Sequence, residues 1–362
     1  MEIGIIGLPK SGKTTLFNSL TRGKAETRAF AASGVEPNVG VVKMPDGRLE
    51  GLQALLKPKR LVPAEVKYVD VAISSDSDKR EGLSGPARSH LTKADALILV
   101  ARAFTDEAVP LAGGVDPWRD IGAMNAELIL TDLAIAEHRL QRIGESLKGA
   151  RSPERENLVR EQSFVEGMRS ALETGVPVRD QGLSRDESRM AESYQLLSNR
   201  PVLIVLNIGE DQLPRALDME DEAKKRYPRF NVAAICGKLE MELAQLSDAE
   251  AAEFRSAMGV SEGAMQRIIR LSYELLGMIS FFSIASGEVR AWTVRRDTPA
   301  PRAAGKIHSD MERGFIRAEV VAYGDLVKCG SLAEAKKHGL LRLEGKNYLV
   351  QDGDVVTFLF SV

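Results

Sequence analysis

MEIGIIGLPKSGKTT, residues 1–15, runs an apolar stretch straight into a glycine-rich turn. The turn fits the pattern GxxxxGK[ST], with Gly7, Gly12, Lys13 and Thr14 in its fixed places. Glycines let the backbone curl until successive amides point inward; the lysine then reaches β and γ phosphates, and the hydroxyl that follows can ligate Mg²⁺. Pro9, Lys10, Ser11 and Thr15 complete the wrap. The apolar run MEIGII reads as a buried strand and LFNSLTRG as the continuing helix, so the phosphates would meet unpaired amides and the dipole at a helix N-terminus.

Four further apolar runs follow, VKYVDVAI (66–73), ALILVARAF (96–104), PVLIVLNI (201–208) and NVAAIC (231–236). Separated by helical or loop segments, they suit a mostly parallel sheet covered on both faces. The reading is an α/β phosphate-loop domain over 1–104 and 201–278. Between 105 and 200 the periodicity turns helical. Ile129, Leu133, Ala136, Leu140, Ile143 and Leu147 step alternately by four and three, a seam of about three heptads. After the polar break KGARSPERE, the residues Leu158, Val165, Met168 and Leu172 continue on a second helix. The pair reads as an antiparallel coiled-coil hairpin, or as two amphipathic helices lying on the sheet. From 279 to 362 short alternating strands around turns such as QDGD mark a small β-rich domain.

At 362 residues, with 44% hydrophobic and 28% charged residues, the chain has the composition of a globular protein with two or three cores. No apolar run approaches the roughly 20 residues that cross a bilayer, so a cytoplasmic protein with no membrane association is expected. A net charge of −2 argues against coating nucleic acid by bulk electrostatics, though Lys57, Lys59 and Arg60 form a local basic cluster. Cys236 and Cys329 are too far apart in sequence for a disulfide framework, and the four histidines show no metal-ligand spacing.

Two sites extend the phosphate loop. Asp70 closes the strand VKYVD, where a carboxylate can hold Mg²⁺ through water opposite Thr14. NIGE (207–210) follows the strand PVLIVL, where guanine-specific relatives carry NKxD, whose aspartate accepts from guanine N1 and N2. Glu210 is one methylene longer, Ile208 replaces the lysine, and Asn207 can instead meet N7 and the exocyclic amine of adenine, so ATP is expected to bind better than GTP. Cys236 and Gly237, in CGK (236–238), would supply base-side backbone amides.

The chain resembles the YchF, or Obg-like ATPase, family from end to end. GLPKSGKTTLFNSLT, VEPNVGVV, YVD, GVDPWRDI, NIGED, EVRAWTV, HSDMERGFIRAEV and LEGKNYLVQDGDVV carry the likeness. The resemblance implies a P-loop domain, a coiled-coil arm and a C-terminal β-grasp, ubiquitin-like (TGS) domain. It also implies slow Mg²⁺-dependent ATP hydrolysis in a monomer whose arm and TGS domain meet ribosome or RNA. Three positions depart from the family. Gly34 stands where relatives place a metal-completing threonine, with Ser33 beside it; Ile73 stands at the glycine of DxxG; and Lys10 replaces an asparagine that holds potassium in related GTPases. The Lys10 ammonium either takes the potassium's place against the transition state or faces solvent. EGLSG (81–85) still resembles the mobile second switch. The alternatives to a slow ATPase are a hydrolysis-deficient nucleotide-binding adapter and a GTP-specific switch.

Overall fold

The structure is a computed structural model describing residues 1–23, 37–71, 83, 85–111, 113–257, 263–285 and 287–361. Gly34, Ser33, Ile73 and most of EGLSG lie outside the described residues. Strands are numbered along the chain as β1 (Glu2–Ile6), β2 (Asn38–Lys43), β3 (Arg60–Val62), β4 (Glu65–Asp70), β5 (Ala96–Arg102), β6 (Val202–Asn207), β7 (Asn231–Ile235), β8 (Met278–Ala285), β9 (Glu288–Arg295), β10 (Phe315–Ala322), β11 (Arg342–Glu344) and β12 (Asp354–Phe360). The helices used below are α1 (Lys13–Thr21), α2 (Gly47–Leu56), α3 (Gly85–Leu91), α4 (Pro117–Leu147), α5 (Glu154–Glu173), α6 (Arg185–Ser193), α7 (Ala216–Arg226) and α8 (Gly237–Leu243). The chain forms two compact units, Met1–Gly40 with Lys67–Met265, and Val41–Val66 with Gln266–Val362.

The first unit is built on a sheet of order β2-β4-β1-β5-β6-β7. Strand β1 runs parallel to β4 and β5, β5 to β6, and β6 to β7. Every residue of β5 and β6 is buried, as expected of interior parallel strands covered on both faces. At the edge, β2 alternates, leaving Val39 and Val41 more than half exposed. One face buries Leu97, Leu99, Val202, Ile204 and Leu206 against Ala87 and Leu91 of α3 and Ile121, Met124 and Leu128 of α4.

Helix α4 starts where Asp116 accepts hydrogen bonds from the Trp118 and Arg119 amides, with Pro117 at the first helical position. Its early turns lie on the sheet. Farther on, the 129–147 seam joins Phe164, Val165, Met168 and Leu172 of α5 in a separate apolar cluster. Arg139 grips Glu161 through two hydrogen bonds of 2.7 and 2.9 Å, and Arg155 reaches the Leu147 carbonyl, so the helices run antiparallel. The buried carboxylate of Asp132 in α4 accepts from the amides of Leu197 and Ser198, fixing the return of the chain toward β6. Its loss would orphan two buried donors.

The second unit has a sheet of order β11-β10-β12-β8-β9-β3. Ala300, Ala303 and Ala304 let a short helix, Ala300–Ile307, approach its face closely over Phe281, Val320 and Phe358. Residues 41–66 belong here, although they precede most of the first unit in sequence. Strand β3 pairs with β9, and Arg48 of α2 forks onto Asp352 at 2.8 and 3.2 Å while its guanidinium lies over the Phe282 ring. Short strands and one bidentate ion pair carry almost no periodic signal, so a linear reading along the chain passes over this exchange.

Candidate functional site

The loop after β1 owes its shape to backbone angles that suit glycine. Gly7 has φ 153° and Gly12 φ 93°. A Cβ at Gly7 would sit 2.4 Å from the Val100 carbonyl oxygen, and one at Gly12 would sit 2.1 Å from Asn207 Nδ2. Lys10 also adopts a left-handed conformation, φ 66°. Ser11 is buried and its Oγ has no hydrogen-bond partner among the described residues, whereas Pro9, Lys10, Gly12, Lys13, Thr14 and Thr15 are half-buried.

Lys13 lies along the loop, its Nζ donating to the carbonyls of Gly7 at 2.8 Å and Leu8 at 3.0 Å. Burial lowers its ammonium to about 8, opposed by the nearby Asp70 charge. The neighbouring Thr14 donates its hydroxyl to Asp70 Oδ2 at 2.8 Å, and Asn38 Nδ2 donates to the same oxygen at 3.3 Å. The other oxygen, Asp70 Oδ1, is buried without a partner among the described residues. A threonine hydroxyl keeps its lone pairs while donating, so this carboxylate and hydroxyl form the oxygen-only donor set that a hard divalent cation takes. The residues fit Mg²⁺.

Asn207 ends β6 and braces two loops. Its Nδ2 donates to the Ser11 carbonyl and its Oδ1 accepts from the Gly237 amide, each at 3.0 Å. The sequence reading aims this amide at adenine; the structure engages both of its ends in holding the phosphate loop against the start of α8. Ile208 turns into the core at 2% exposure, away from any base. Cys236 caps the α8 end of the brace, its thiol pushed up by burial. Glu210 is exposed and pairs with Lys238 at 3.3 Å. Lys10, aimed at the phosphates by the sequence reading, donates to the Pro110 carbonyl at 3.0 Å.

Two residues that sequence reasoning passed over belong here. Asn38 sits within the quoted VEPNVGVV and touches Asp70. Arg102, 2% exposed, ends β5 in register with Asn207, its Nε donating to the Phe104 carbonyl and its guanidinium 4.4 Å from the Phe104 ring. Both lie at strand ends, where polar residues read from sequence as ordinary caps. Leu83, in the EGLSG stretch, is anchored by its amide to Thr131 Oγ1 of α4 at 2.9 Å.

A parallel sheet whose first strand feeds a glycine loop, a buried lysine and a hydroxyl–carboxylate pair defines a P-loop protein that binds nucleoside triphosphates. Residues 2–137 match the family model described as 50S ribosome-binding GTPase. Residues 278–361 match the C-terminal YchF GTPase model, described as a protein of unknown function. The chain is 40% identical, over all of both chains, to the ribosome-binding ATPase YchF of Bacillus subtilis. It is 39% identical to the protein of the same name from Haemophilus influenzae, covering all of this chain and 99% of that one. The solved structure of the Schizosaccharomyces pombe YchF GTPase superposes with a TM-score of 0.86 at 29% identity, covering 99% of this chain and 97% of that one. The chain belongs to the YchF family.

Proposed function

We propose that this protein binds ATP with Mg²⁺ and hydrolyses it slowly, its nucleotide state gating association with the ribosome in the cytoplasm. The observation that carries this reading is the Thr14–Asp70 pair beside Lys13, with one carboxylate oxygen buried and unpartnered. Gly7 and Pro9 to Thr15 cradle the phosphates. Lys13 would leave the Gly7 and Leu8 carbonyls for the β and γ oxygens, and Thr14 with Asp70 would hold the cation. When bound, Mg²⁺ would supply positive charge that offsets the charge developing as the γ-phosphoryl group transfers to water. Every other contribution is positioning and fixed charge from the loop.

On the base side, the Gly237 amide is already held by Asn207 Oδ1, and Glu210 is tied to Lys238. A carboxylate so engaged, and one methylene too long, is a poor acceptor for the guanine N1 and N2 donors, which favours adenine. We assign the contact with ribosome or RNA to the arm (105–200) and the C-terminal domain (279–362); the name of the relatives, ribosome-binding ATPase, supports the ribosome as partner. Gly34 and Ile73 favour a second reading, an adapter that binds ATP without turning it over.

Single-turnover phosphate release from Mg²⁺ATP with excess protein separates the two. Slow release that stops in EDTA supports the ATPase, and tight ATP binding with no release supports the adapter. Glu210→Asp should raise the affinity for GTP relative to ATP, and an unchanged ratio would sink the base assignment.

The same assay tests Lys10. If its ammonium supplies the charge that potassium provides elsewhere, wild-type release is equal in potassium and sodium salts, and Lys10→Asn becomes slower in sodium by about tenfold or more. Equal rates for Lys10→Asn in both salts would leave Lys10 as a tether to Pro110.

A further inference from the structure

Asp70 carries an uneven load. Its Oδ2 accepts from both Thr14 and Asn38, and its buried Oδ1 accepts from no donor among the described residues. A carboxylate only 5% exposed gains from every donor, so one vacant oxygen beside a doubly served one is a directed arrangement. Thr14 alone would leave the carboxylate free to turn about its χ2 axis and exchange its oxygens. The Asn38 amide approaches the same oxygen from another element, the first residue of β2, while Thr14 comes from α1. Two donors from two elements fix which oxygen faces inward.

We propose that Asn38 is a positioning residue for the metal: by holding Asp70 Oδ2 it keeps Oδ1 turned to receive a Mg²⁺-bound water. This rests on the Mg²⁺ATP reading above. It gives Asn38 a task that neither its place after the 24–36 segment nor its polarity alone announces. Asn38 has no contact with the nucleotide in this assignment and acts only through Asp70. Its removal should therefore weaken the contribution of Mg²⁺ to nucleotide binding and leave metal-free binding alone.

The test is a fluorescence titration of the full-length protein with an N-methylanthraniloyl derivative of ATP, in Mg²⁺ and in EDTA. The ratio of the two dissociation constants is the readout, and it needs no turnover. Asn38→Ala should shrink the wild-type ratio by about threefold to tenfold, the range of a typical net hydrogen bond, with the EDTA value unchanged. Asn38→Asp, which sets an acceptor against an acceptor, should shrink it at least as far, and Asn38→Gln, which keeps a donor, should recover part of it. In an Asp70→Asn background, Asn38→Ala should add nothing. A wild-type ratio retained in Asn38→Ala overturns the proposal, as does a parallel loss in Mg²⁺ and EDTA. A wild-type ratio of one would instead overturn the metal reading itself.

Discussion

Lys13→Ala abolishes measurable turnover: single-turnover phosphate release from Mg²⁺ATP falls by about 10²–10³-fold, the usual loss when one preorganised donor to the transition state is deleted. Triphosphate affinity falls as well, by roughly tenfold to 200-fold for the lost charge-assisted hydrogen bonds. A second signature separates Lys13 from a merely structural lysine. Burial lowers its pKa to about 8 in the free protein, and a triphosphate against the ammonium raises it. The nucleotide-bound state therefore holds the proton more tightly than the free state. Affinity is fully present below about pH 8 and declines above it, by up to about tenfold per pH unit until the bound-state value is passed. For the free protein the sign is opposite. The penalty of burying a charged Lys13 is complete below about pH 8 and is relieved as pH rises toward the ordinary 10.5. ATP affinity measured from pH 7 to 9.5 checks the first statement. The Lys13→Ala profile should be flat, and a wild-type profile equally flat would refute the assignment.

Gly12→Ala should cost nearly as much by a different route. The alanine must hold φ 93°, at about 1–2 kcal/mol, and its Cβ would stand 2.1 Å from Asn207 Nδ2. The amide must withdraw, which breaks its bond to the Ser11 carbonyl and loosens the grip on the Gly237 amide. A buried polar group left unpaired adds about 1–3 kcal/mol. The expected result is a first unit destabilised by about 2–5 kcal/mol in chemical denaturation, with nucleotide binding lost because both loops slacken together. Asn207→Ala should reproduce the binding defect without the backbone strain, so the two variants distinguish strain from lost bracing. Wild-type affinity in Gly12→Ala would show that the loop adapts and that the brace is dispensable.

The parts of this molecule that sequence announces are those in which one physical rule dominates locally. Interior parallel strands must be apolar on both faces, so β1, β5 and β6 stand out as continuous runs. The arm's seam at 129–147 repeats because two helices share it, and each of those residues takes its place in that cluster. Relations between distant residues were illegible. Arg48 meets Asp352 across 304 positions, and no periodicity marks such a pair. Asn207 offers by its type an amide for a base, yet Ser11 and Gly237, at opposite ends of the first unit's sequence, claim it first. The same holds for Lys10 and Pro110. In each case the residue type suits a nucleotide site, and its neighbour in space is what a linear reading lacks.

The chain passes between its two units three times, after Gly40, after Val66 and after Met265. On the ribosome this imposes an order. Segment 41–66 is made early, but β9, its partner strand, and Asp352, the acceptor for Arg48, are made last. From Val66 to Gln266 the ribosome adds 200 residues, which takes roughly 10–40 s at about 5–20 residues per second. Throughout that interval α2, which carries the buried Leu49 and Leu52, lacks β9 and the helix Tyr323–Cys329 on which it packs. The nascent chain must therefore carry these two leucines without their own unit while the first unit is being made. A fragment starting at residue 266 would lack a strand and a helix of its own fold. The C-terminal unit is thus completed only when both ends of the chain exist.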